Sequence, residues 1–165
     1  MLSTREAYGM ALAELGERYD FYVLDADLSK ATQTIKFKEK YPERFMDMGI
    51  AEANMMEFAA GMSTCGKPVF ASTFASFAAG RAYDQIRNGI AYPHCNVKIG
   101  ATHGGVLIGA DGGSHQHIDL QAVALHLRVA MPVNVIEADK QTAQTERNQP
   151  NRVKRRDLHI VAYQR

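Results

Sequence analysis

The 165-residue chain has no tryptophan, only two cysteines and five prolines, and almost no net charge. Cys65 and Cys95 are too few for a disulfide scaffold, and their spacing matches no zinc motif. Nineteen Lys and Arg stand against 18 Asp and Glu, a formal net charge of +1, so nothing marks a nucleic-acid or polyanion surface. No stretch approaches the roughly 20 apolar residues of a membrane helix. The opening Met-Leu-Ser-Thr-Arg-Glu lacks the basic-then-apolar order of a signal peptide. The expectation is a cytoplasmic protein with no nucleic-acid partner and no membrane. What is present suits a globular fold: 46% hydrophobic and 22% charged residues, enough for one domain, or one domain and a tail.

Short apolar runs alternate with helix-period segments. Ser3 and Glu6 have the spacing of a capping box, and Ala7, Met10 and Ala11 then recur at helical intervals until Gly16 offers a stop. Phe21-Tyr22-Val23-Leu24 is the continuous apolar run of a strand covered on both faces, ending in Asp25-Ala26-Asp27. A mixed segment runs to Lys40 and is closed by Pro42. Met55, Phe58, Ala59 and Met62 fall at i, i+3, i+4 and i+7, which predicts a helix over residues 51–64 with that face inward. Strands are expected at residues 68–71, 97–101 and 133–136, and helices at 74–88 and 119–128. This alternation predicts an α/β fold, an open and mostly parallel sheet with helices on both faces. Such sheets bind ligands beyond the C-terminal ends of their strands. After Gln144 the texture changes. Arg147, Arg152, Lys154, Arg155 and Arg156 crowd a segment read as a basic tail or edge element over residues 145–165, with a candidate last strand at 158–163.

Three places could carry chemistry. Glu52 opens the helix at 51–64 among mostly apolar neighbours. An acid there complements the helix dipole, and one withdrawn from water also has a raised pKa and can donate a proton. Phe74 and Phe77, three apart on a helix, share a face that is either plain core or the wall for a flat heteroaromatic ring. The glycine-rich window at 102–117 holds His103, Asp111, His115 and His117, polar groups suited to hydrogen-bonding and proton transfer on a polar substrate. A metal site from Asp111, His115 and His117 is the competing reading, but its spacing is not a recognised zinc pattern. The glycines form neither a dinucleotide nor a P-loop signature.

Six segments in order resemble the pyrimidine-binding domain of transketolases: Thr4-Arg5-Glu6-Ala7-Tyr8-Gly9, Leu24-Asp25-Ala26-Asp27-Leu28, Gly49-Ile50-Ala51-Glu52-Ala53-Asn54-Met55, Ala71-Ser72-Thr73-Phe74, Asp84-Gln85-Ile86-Arg87-Asn88, and Gly109-Ala110-Asp111-Gly112-Gly113-Ser114-His115-Gln116. The similarity runs over residues 3–139 and suggests a domain spanning 1–144. It looks nearest to split transketolases, in which this domain sits on its own chain. The resemblance implies thiamine diphosphate lying between two domains and a two-carbon ketol transfer between sugar phosphates. This chain would embrace the aminopyrimidine, while a partner chain with a Gly-Asp-Gly motif, absent here, would hold Mg2+ and the diphosphate.

It further implies that Glu52 hydrogen-bonds ring nitrogen N1′ and so activates the cofactor. Phe74 and Phe77 would flank the pyrimidine, and Asp27 would face the thiazolium. His103, Asp111 and His115 would bind sugar hydroxyls, with the two histidines assisting proton transfers, and Arg5 would meet the substrate phosphate. No metal ligand is assigned to this chain. Ala53 stands where the family usually has Gln, and Ala110 where it has an acid. After His117 the match becomes ragged, and no third domain follows, so a shortened member is expected. Deoxyxylulose-phosphate synthase shares the Glu52 and 111–115 motifs, but residues 84–97, with Ile-Ala-Tyr-Pro inside, look closer to split transketolases. A non-catalytic remnant is the remaining alternative. Because such sites straddle subunits, an oligomer is expected, with Phe74, Phe77 and the Met55 helix as its exposed apolar face.

Overall fold

The computed structural model describes residues 2–104, 113–115 and 160–162. The chain opens with helix α1 (Thr4–Leu15), started by the expected capping box: the Glu6 N–H donates to Ser3 Oγ, and the Ser3 N–H donates to the Glu6 carboxylate at 3.0 Å. Gly16 ends the helix in a right-handed rather than left-handed conformation. It is glycine because a Cβ there would collide with the Tyr41 and Phe37 rings. Strand β1 (Tyr22–Asp25) follows. The mixed segment resolves into two short helices, α2 (Ser29–Thr32) and α3 (Ile35–Lys40), then a 3-10 turn begun by Pro42.

A strand that periodicity did not reveal, β2 (Phe45–Asp47), leads into α4 (Glu52–Thr64). Strand β3 (Val69–Phe74) feeds α5 (Ala75–Arg81) directly. The helix expected over 74–88 is therefore two pieces. It breaks at Ala82 and resumes as a π-helical segment, Gln85–Ala91, whose wider turn is closed by bonds such as Tyr92 N–H to Arg87 C=O at 3.0 Å. Strand β4 (Val97–Thr102) leads to His103, and β5 (Ile160–Ala162) lies within the candidate last strand. The elements expected at 119–128 and 133–136, the boundary near residue 144 and the basic cluster lie outside the described residues.

All pairings are parallel, in the order β2-β1-β3-β4-β5. The sheet order reverses between β1 and β3, so the crevice that such a fold offers to ligands opens at the C-terminal ends of those strands. Alternation along β1 sends Val23 to one face and Leu24 to the other. Val23 joins Tyr8, Leu12, Phe21, Phe37 and Phe45 beneath α1 and α3. Leu24 joins Met55, Met56, Ala59, Val69, Ala71 and Ile99 beneath α4 and α5. Both faces are thus covered, as the continuous apolar strands required.

Two expectations are corrected at α4. Its buried face is Glu52, Met55, Met56, Ala59 and Ala60, while Phe58 points outward at 44% exposure. Phe74 is buried and Phe77 half-buried, so of the expected exposed apolar face only the Met55 helix, through Phe58, puts a large apolar side chain in water. The large apolar side chains left in water include Ile50, Phe58 and Tyr92.

Candidate functional site

The approach to α4 is held by an aspartate. Asp47, at the end of β2, accepts the N–H of Gly49 and that of Asp27, each at 3.1 Å, and so ties the exit of β1 to the turn before α4. Gly49 takes φ +69°, which a side chain would resist. Ala51 then starts the helix without a side-chain cap, and Glu52 brings its carboxylate to the positive end of the helix dipole.

Glu52 is only 3% exposed. The expected apolar surroundings hold in part, because the carboxylate is out of water, yet its charge is answered. Arg81 Nη1 donates to Oε1 at 3.0 Å and lies 3.2 Å from Oε2, and the Thr73 hydroxyl donates at 3.4 Å. Arg81 is the last residue of α5, and its guanidinium carbon lies over the Phe77 ring, 3.8 Å from the centroid. The sequence offered a signal for this residue, since Phe77 and Arg81 are i and i+4 on one helix.

Phe74 and Phe77 do face each other, stacked with centroids 5.6 Å apart, but they belong to different elements: Phe74 ends β3 and Phe77 lies on α5. Both histidines join them. His103 lies 4.0 Å from the Phe74 ring, and His115 meets Phe77 edge-on at 5.1 Å and Phe74 at 5.8 Å. His103 has φ +56°. Arg5, exposed in the first turn of α1, lies with Nη1 3.3 Å from His103 Nε2, and Thr102 Oγ1 is 2.9 Å from Nδ1. A guanidinium can only donate, so Nε2 is the acceptor in the Arg5 contact. Five of the residues singled out from sequence in this region, Glu52, Phe74, Phe77, His103 and His115, thus gather at one edge of the sheet, with Arg5 reaching His103.

Asp27 follows the C-terminal end of β1. It is exposed in a left-handed turn at φ +61°, with its N–H held by Asp47. Behind it, buried Asp25 accepts the Leu28 N–H at 2.6 Å and the hydroxyls of Thr32 at 2.7 Å and Thr34 at 2.8 Å. Burial pushes the Asp25 carboxyl above the ordinary aspartate value, against the pull of those three bonds, with the nearby Asp47 charge adding to the rise. Asp111 and His117 lie outside the described residues. Among the described residues no three His, Cys, Asp or Glu gather as metal ligands, and no helix is long and apolar enough to cross a membrane.

The fold is thus a parallel α/β domain of order β2-β1-β3-β4-β5, with a buried acid and stacked aromatic rings at the C-terminal ends of its strands. The transketolase pyrimidine binding domain family matches residues 1–164. The chain belongs to that family. A transketolase C-terminal section from Methanocaldococcus jannaschii is 57% identical over 113 residues, 68% of this chain and 36% of that protein. Mus musculus transketolase is 42% identical over 120 residues, 72% of this chain and 19% of that protein. The chain therefore spans about a third or less of the relatives' lengths. Among solved structures, a split-gene transketolase described as an inactive β4 tetramer is 56% identical with a TM-score of 0.64, covering 80% of this chain and 41% of that one. Leishmania mexicana transketolase is 25% identical with a TM-score of 0.71, covering 86% and 23%.

Proposed function

We propose that this chain supplies the pyrimidine-binding half of a thiamine diphosphate-dependent transketolase, completed by a separate diphosphate-binding chain. The observation that carries this reading is the buried Glu52 carboxylate beside the Phe74–Phe77 stack. The residues suit an aminopyrimidine: a carboxylate held from water is the acceptor that a protonated ring nitrogen needs, and an aromatic face can stack on a flat ring. When bound, the cofactor provides the carbon nucleophile for cleaving the bond beside a ketose carbonyl. Glu52 would hold a proton at ring N1′, and its burial keeps water from competing for that bond. Phe74 and Phe77 would fix the ring plane. Asp27, in its left-handed turn, would face the thiazolium side. His103, His115 and Asp111 would orient sugar hydroxyls and accept or return protons, and exposed Arg5 would receive the substrate phosphate. Mg2+ and the diphosphate would be held by the partner chain.

The split-gene relative solved as an inactive β4 tetramer supports the need for a second chain. Transfer of a two-carbon unit from a ketose phosphate to an aldose phosphate should appear only when this chain is mixed with a diphosphate-binding chain. Glu52→Gln should lower that rate by about 10²-fold or more, the usual loss when acid–base catalysis fails. A Glu52→Gln mixture within about threefold of wild type would overturn the role given to this residue.

A further inference from the structure

Arg81 makes two contacts at once, and they are the two that the proposed function gives to the cofactor's ring. Its Nη1 donates to both oxygens of Glu52, at 3.0 and 3.2 Å, and its guanidinium covers the Phe77 ring at 3.8 Å. A guanidinium is flat, delocalised and edged with N–H donors, so it can present a carboxylate and an aromatic face with much the same pattern as a protonated aminopyrimidine. We propose that Arg81 is an internal stand-in for that ring, holding the Glu52 carboxylate and the Phe77 face until the cofactor displaces it. The inference rests on the functional reading above and adds a step to it.

Burial decides which partner moves. The Glu52 side chain is 3% exposed and sits at the start of a thirteen-residue helix packed into the core. The Arg81 side chain is 49% exposed at the end of a seven-residue helix, so its charge can turn into water at little cost. A buried carboxylate left without a charged partner is costly, and this explains why an occupant is needed while the ring is absent. Thr73 remains hydrogen-bonded to Glu52 Oε1 on the sheet side and need not leave when Arg81 does. One carboxylate edge and one ring face cannot serve both occupants, so the arginine competes with the cofactor. It also keeps the carboxylate aimed, ready for exchange.

The test is the affinity of the reconstituted complex for thiamine diphosphate with Mg2+, measured by titration calorimetry and independent of turnover. Arg81→Ala removes the competitor and should tighten binding by about tenfold, the scale of a lost charge-assisted hydrogen bond. Arg81→Lys keeps the charge without the flat face and should fall between Ala and wild type. If the alanine variant fails to assemble, the lysine variant decides alone: tighter binding than wild type supports the stand-in. Equal or weaker binding by the variants overturns it and makes Arg81 a holder of the cofactor instead. A wild-type complex that assembles yet binds no cofactor overturns the functional reading itself, and the stand-in with it.

Discussion

Asp25 shows how one buried side chain sets the exit of a strand. Its oxygens collect the Leu28 N–H and two threonine hydroxyls, and this closes the turn that carries Asp27 in its left-handed conformation. Aspartate is among the few residues that tolerate such a φ. Asp25→Ala would strand those donors and should cost about 2–3 kcal/mol in urea unfolding, since the Thr32 hydroxyl retains the Leu28 carbonyl as a partial substitute. The pH dependence has a definite sign. A carboxyl whose folded value is raised favours the folded state most when protonated, and that contribution is lost as pH rises through the folded value. Asp25→Asn cannot ionise, so its stability relative to wild type should improve between acid and neutral pH. Parallel unfolding curves at the two ends check this, and a relative loss for the Asn variant would contradict it.

At the level of elements, the position of α1 decides where Arg5 meets His103. Tyr8, one turn after Arg5, reaches across to Ser72 on β3 with its hydroxyl 2.8 Å from Ser72 Oγ. Ser72 is paired in register with Gly100 on β4, and a Cβ at Gly100 would strike the Tyr8 hydroxyl. Gly100→Ala should therefore lift α1 from the sheet, cost about 1–3 kcal/mol as an overpacked site does, and shift the His103 ring resonances in NMR spectra. Unchanged His103 signals would separate the seat of α1 from the Arg5 contact. On α4 the stripe of Met55, Ala59 and Met62 does face the core and only Phe58 departs, because Met56 and Ala60 beside it turn the buried face toward themselves. Strand β2 has three residues, too short for alternation to register, and exists because β1 pairs with it.

For the molecule as a whole, Ile50, Phe58 and Tyr92 remain in water, with Tyr92 at 84% exposure. A contiguous apolar patch marks a contact surface whereas single exposed side chains do not, and replacing these residues tells the two apart. Sedimentation velocity at micromolar concentration should find the chain associated, and a double Phe58→Ser, Tyr92→Ser variant should move toward the monomer. A monomeric wild type would count against association through this surface.

Much of the architecture could be read in advance from the amino-acid order. Apolar runs that must be covered on both sides imply a parallel sheet, and a sheet of that kind directs its ligands to the strand ends where Asp27, Phe74 and His103 stand. Glu52 at a helix start was equally visible, because caps and dipoles act within a few residues. The partnerships were not visible. Arg81 reaches Glu52 across 29 residues and Arg5 reaches His103 across 98. Strand order and helix seating alone bring such groups together, and neither leaves a local pattern in the chain.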